Sequence, residues 1–131
     1  MCNIAGYVGG QAAAPMLIEM MARQEGWGGG YYTGIATLHA GRLYSRKVVG
    51  DLERLLAETD AAQLPGTLGI LHSRSRSGGD REWGHPFTTA DETLAYVANG
   101  ARGYFEKGFD VDAVARRLQA AGYTFRSRTA G

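Results

Sequence analysis

The chain has 131 residues, 44% of them hydrophobic and 21% charged, with a formal net charge of +1 and a single cysteine. Those figures describe one folded domain over residues 1–131 with a core of its own, and they exclude disorder, an internal disulfide and a charge-driven nucleic-acid or membrane partner. No apolar run approaches the ~20 residues of a membrane span and no secretory signal is recognisable, so a reducing cytoplasm is the expected compartment.

In chain order, NIAGYV (3–8) reads as a strand that turns at Gly9-Gly10. PMLIEMMARQ (15–24) is rich in helix formers, with Pro15 suited to a first turn. GWGGG (26–30) interrupts it. TGIATL (33–38) and RLYSRKVV (42–49) flank His39-Ala40-Gly41 as a β-hairpin. Asp51 is placed to cap a short helix, LERLLAE, with Leu52, Leu55 and Leu56 on one side. TLGILHS (67–73) reads as a buried strand delivering polar residues at its end, and TLAYVA (93–98) as another strand running into Asn99-Gly100. Asp110 caps VDAVARRLQAAG, in which Val111, Val114 and Leu118 recur at helical spacing and Gly122 supplies the stop. YTFRSR (123–128) begins one more strand. The order predicts an α/β or α+β chain without repeats or linkers, and its finish at Thr129-Ala130-Gly131 reads as that of a shortened domain.

Glycine is overrepresented, 20 of 131 residues, about twice the usual share of roughly 7%. It clusters in GWGGG, SGGD and ANGARG rather than following a period, which marks turns and close backbone approaches.

Cys2 follows the initiator methionine. Removing Met1 would leave one residue carrying both a thiol and an α-amine of ordinary pKa about 7.7–8.0, basic enough to take the thiol proton. An inert cysteine would stand there equally well on position alone. In LGILHSRSRSGGDREWGHPF, Arg74 falls just beyond a strand, where a guanidinium could grip a carboxylate by two parallel hydrogen bonds; a solvated arginine loop is the alternative. In AYVANGARGYF, the Asn99 side-chain amide and the Gly100 N–H could point at one developing oxyanion, or Asn-Gly could be a plain turn. GWGGG lacks the lysine and Ser/Thr of a phosphate loop, and the three histidines and one cysteine show no zinc spacing.

Taken together, MCNIAGYVG, GGYYTGIATL, HSRSRSGG…GHPF and ANG stand in an order that resembles the class II glutamine amidotransferases, whose glutaminase domains use an N-terminal nucleophile. The resemblance spans nearly the whole chain. It implies an α+β fold of the N-terminal-nucleophile hydrolase type, an αββα sandwich of which this chain supplies the N-terminal part. It implies hydrolysis of the side-chain amide of L-glutamine to glutamate and ammonia, with Cys2 as nucleophile and Asn99 and Gly100 as oxyanion hole. Arg74 resembles the residue that holds the α-carboxylate of glutamine. Ser77 and Gly79 occupy the threonine and glycine positions of the same loop, and His85 with Pro86 matches the pair that walls the pocket. No cofactor or metal is implied. The partner implied is a synthase domain or subunit that receives ammonia, and a homo-oligomer is left open.

Some positions depart from the family pattern. Asn3 replaces a glycine, Ser75 an aromatic residue, and Gly78 the histidine of sugar-phosphate-forming members. The acidic residue that would pair with the α-ammonium of glutamine falls at Ala130. These departures leave a second expectation, a non-catalytic amidotransferase-like binding or assembly module.

Overall fold

The computed structural model describes residues 1–76, 81–100, 108 and 110–125. Strand β1 (Asn3–Val8) leads to helix α1 (Ala13–Ala22), and the hairpin β2 (Tyr32–His39) and β3 (Arg42–Val49) follows. Helix α2 (Leu52–Glu58) and strand β4 (Leu68–Arg74) come next, then the short strands β5 (Phe87–Thr88) and β6 (Ala95–Tyr96), and helix α3 (Val111–Ala120). The result is α+β: an antiparallel four-stranded sheet in the order β1-β4-β2-β3, and a two-stranded β5–β6 ribbon.

Register explains which residues meet the helices. Ala5 and Ile35 both pair with Leu71, and strand alternation puts all three on one face. That face packs on Leu17 and Met21 of α1 and Leu52 and Leu55 of α2, all buried in one apolar cluster. Gly69 lies under α1 because a Cβ there would come within 2.8 Å of Leu17 Cδ1. On the opposite face the alternate residues Gly34, Ala36, Ile70 and His72 are met by the 84–96 segment. An apolar cavity of about 240 Å³ lies there, between Ala36, Leu38, Ile70 and the ribbon residues Leu94 and Ala95.

The local signals account for most boundaries. Asp51 Oδ1 accepts the Arg54 N–H at 2.9 Å, and Asp110 Oδ1 accepts that of Ala113 at 2.9 Å, each a side-chain cap on an otherwise orphan donor. The hairpin closes on two residues, Ala40 (φ 48°) and Gly41 (φ 76°), because a turn with both residues left-handed matches the twist of its strands.

Several expectations need correction. Helix α1 begins at Ala13 rather than Pro15, so proline takes the third helical position, and it ends at Ala22 rather than Gln24. The strand expected over 93–98 shrinks to Ala95–Tyr96, and its partner Phe87–Thr88 falls in a stretch read as loop. Leu56 is exposed rather than turned inward with Leu52 and Leu55. Helix α3 has no buried residue among those described, and its Val111 and Val114 are only half-buried. Residues 123–125 form no strand; 126–128 and Ala130 lie outside the described residues.

Candidate functional site

The site grows from the amino-terminal end of β1. Asn3 pairs with Ser73 and Tyr32 pairs with Arg74, so Cys2 and Arg74 stand at the same end of the sheet. Cys2 is a free thiol of intermediate exposure. The Met1 carbonyl just before it accepts the Gly29 N–H at 2.8 Å and the Ser75 hydroxyl. A side chain at Gly28 would collide with that carbonyl, and one at Gly29 (φ 73°) with Ser73 Oγ at 2.6 Å. The close approach of the 28–30 backbone to the start of the chain therefore depends on glycine.

Asn3 ties the same loop down from within. Its buried amide donates to the carbonyls of Gln24 at 3.0 Å and Gly28 at 2.9 Å. Beneath it runs a chain of hydroxyls. The Gly30 N–H donates to Ser73 Oγ at 2.8 Å, Ser73 and Thr33 share a hydrogen bond at 3.0 Å, and Thr33 Oγ1 donates to the Gly50 carbonyl at 2.8 Å. The Ser73 and Thr33 hydroxyls are thereby both partnered, which a site built on a sheet edge needs to hold its shape.

Asn99 comes to this corner from a distant part of the chain. Its Nδ2 donates to the Cys2 carbonyl at 3.1 Å, and Gly100 beside it has φ 154°. An amide NH₂ has two protons, so this bond leaves one more N–H for a ligand. The Arg74 guanidinium lies 5.8 Å from the Trp83 ring centroid, and its Nη1 donates to the Trp83 carbonyl at 2.6 Å. That uses one of five guanidinium N–H groups.

His85 sits behind the site and not on its open side. It is 3% exposed, neither ring nitrogen has a hydrogen-bond partner, and its ring packs 4.2 Å from His72 and 4.4 Å from Phe87. Burial, with the nearby His72, Arg74 and Lys47, pushes its pKa down to about 3. His72 is wholly buried, and burial pulls its pKa down to about 4 despite a hydrogen bond to the Ala98 carbonyl that favours the proton. Both rings are therefore neutral near pH 7. Ser77 and Gly79 lie outside the described residues.

The structure thus brings Cys2 to Asn99 and sets Arg74 at the same end of the sheet. Among the described residues, no group of three or more His, Cys, Asp or Glu side chains is placed to hold a metal ion, and no helix is long and apolar enough to cross a membrane. His72, Ser73 and Thr33 were not singled out as functional from the sequence. The signal available for them was their place at the polar ends of two strands and within the HSRSRSGG and GGYYTGIATL motifs.

Comparison with known proteins gives a family context. The chain is 31% identical over 131 residues to glutamine–fructose-6-phosphate aminotransferase (isomerizing) of Pyrococcus horikoshii. The identity is 34% to that of Thermosynechococcus vestitus and 36% to that of Bartonella henselae. Each match covers 98% of this chain. The chain is related in sequence to a region of these glutamine-using aminotransferases. It spans about a fifth of the length of these relatives, 20–21%. No protein-family model matches it.

Proposed function

We propose that this region is the glutaminase part of a class II amidotransferase and supplies the N-terminal portion of an αββα N-terminal-nucleophile fold. The observation that carries the reading is the Asn99 Nδ2 to Cys2 carbonyl hydrogen bond at 3.1 Å, which holds an amide donor against the backbone of Cys2. In the proposed reaction Met1 is removed and the free Cys2 amine takes the thiol proton. The thiolate attacks the side-chain amide carbon of glutamine, and its C=O electrons become an oxyanion facing Asn99 Nδ2–H and Gly100 N–H. The ammonium returns the proton to the departing nitrogen, ammonia leaves, and water hydrolyses the γ-glutamyl thioester to glutamate and the free thiol. Arg74 holds the α-carboxylate, Ser77 and Gly79 shape the pocket around it, and buried His85 backs that wall from behind. The relatives' names support fructose 6-phosphate as the acceptor of the amino group, in a synthase region outside this chain.

One observation favours the second reading, a non-catalytic binding or assembly module. The Met1 carbonyl is seated on the Gly29 N–H and the Ser75 hydroxyl, an arrangement in which the Cys2 amine stays acylated. Three measurements on the purified chain decide between them: intact mass, glutamate release from glutamine, and labelling by a glutamine-like diazoketone. The glutaminase reading expects loss of Met1, stoichiometric label at Cys2 and steady glutamate release. A chain that lacks Met1, is folded, and neither hydrolyses glutamine nor takes label overturns it.

A further inference from the structure

His72 lies within β4 with Ile4 of β1 and Gly34 of β2 as its register partners, and it has no exposed surface. Placing an imidazole at such a position costs free energy that an aliphatic residue would not. Its Nε2 stands 3.1 Å from the Ala98 carbonyl oxygen. A carbonyl only accepts, so Nε2 carries the proton and Nδ1, buried and without a partner, is bare. The His85 ring packs against that of His72, 4.2 Å away and tilted by 41°. His85 in turn is seated over Gly34, where any Cβ would collide with the His85 carbonyl and come within 3.0 Å of Pro86 Cδ.

Ala98 immediately precedes Asn99. Residues 97–100 belong to no strand, so ladder hydrogen bonds do not hold them against the main sheet. Two described hydrogen bonds do: His72 to the Ala98 carbonyl, and Asn99 to the Cys2 carbonyl. The second of these involves the amide that is to face substrate. The first involves no group of the reaction, and it joins the strand that carries Arg74 to the segment that carries Asn99 and Gly100.

We propose that His72 is a positioning residue for the Asn99–Gly100 corner: its Nε2–H anchors the Ala98 carbonyl to β4 and so fixes where the oxyanion donors stand relative to Cys2. Its catalytic consequence rests on the glutaminase reading; the anchoring itself does not. Donor placement matters because a misplacement of ~1 Å at a reacting centre costs about 10²-fold in rate. Arg74 is carried by β4 directly, so glutamine binding through its carboxylate is insensitive to the anchor. The loss falls on kcat and leaves KM nearly unchanged.

The test uses the full chain. In the unaltered protein, long-range ¹H–¹⁵N spectra are expected to report the Nε2–H tautomer of His72; the Nδ1–H tautomer overturns the proposal, even where every variant fails to fold. His72→Leu fills the space without a donor. It is expected to move the Asn99 side-chain NH₂ and Gly100 N–H resonances and to lower kcat about 10- to 100-fold with KM within about twofold. His72→Gln restores a side-chain N–H and is expected to recover most of the loss. A folded His72→Leu variant with unmoved Asn99 and Gly100 resonances overturns the proposal, as does equal loss of kcat in the Gln and Leu variants. If the unaltered chain releases no glutamate from glutamine, the glutaminase reading falls alone, and the tautomer and amide resonances still decide the anchor.

Discussion

Asn99 donates its side-chain N–H to the carbonyl of Cys2 at 3.1 Å, joining residues 97 positions apart. The contact brings a neutral donor to the backbone of Cys2. Removing an oxyanion donor costs about 2.7–4 kcal/mol of transition-state stabilisation. Asn99→Ala is therefore expected to slow glutamine hydrolysis about 10²-fold or more while Cys2 still reacts with a small alkylating agent. Steady-state glutamate release measures it, and a rate within a few-fold of the unaltered chain refutes the assignment.

The buried histidine pair makes stability depend on pH. The ordinary histidine value is 6.5, whereas in the fold His72 is held to about 4 and His85 to about 3. On acidification the unfolded chain takes up these protons first, so the contribution is full above the ordinary value and is lost as pH falls through the folded values. Asp60, lowered chiefly by its hydrogen bonds from Arg46, and Asp91, by those from Thr89 and Thr93, act in the same direction but only below their ordinary 3.8. Urea midpoints should fall between about pH 7.5 and pH 5, before the carboxylates contribute. His85→Phe, which can stack on Phe87 and Tyr96, should flatten that slope; an unchanged slope would place the effect elsewhere.

Gly34 has no room for a methyl group. A Cβ there meets the His85 carbonyl and stands 2.8 Å from Lys47 Cβ and 3.0 Å from Pro86 Cδ. Gly34→Ala must push the 85–86 backbone off β2, and overpacking of this kind typically costs about 1–3 kcal/mol. Chemical denaturation is expected to show the loss, together with a changed environment for His72.

Ala40 presents the opposite opportunity. It holds φ 48° in the two-residue turn between β2 and β3, a conformation that costs an L-residue with a plain Cβ about 1–2 kcal/mol and that asparagine tolerates. Ala40→Asn should stabilise the fold by about 1 kcal/mol without touching the site. A midpoint at or below that of the unaltered chain would show the turn to be relaxed with alanine.

These positions also mark what could be read from the chain and what could not. The caps at Asp51 and Asp110 and the hairpin around Ala40-Gly41 were legible because each is a local decision of a few residues. The β5–β6 ribbon was not, since two-residue strands carry no periodicity and Phe87 owes its pairing to the crossing of His85-Pro86 over Gly34. Cys2, Arg74 and Asn99 were suggested by family resemblance; that Asn99 reaches the Cys2 carbonyl is a tertiary fact. Asn3 reads as a loss of backbone freedom beside the thiol, yet its amide secures the Gln24 and Gly28 carbonyls. His72 opens the HSRSRSGG motif, yet a histidine in an apolar run shows nothing of its partner 26 positions away.

The strand order has a consequence in time. Among the described residues β1 pairs only with β4, so the first strand made has no neighbour until residues 68–74 have been synthesised. At ~5–20 residues per second that interval lasts roughly 3–13 s. Throughout it the bond between Met1 and Cys2 is unsheltered, since Ser75, which with Gly29 later clasps the Met1 carbonyl, is made last. On the proposed glutaminase reading, an aminopeptidase acting on the growing chain meets a loose end, whereas one arriving after β4 has docked must first pull it free.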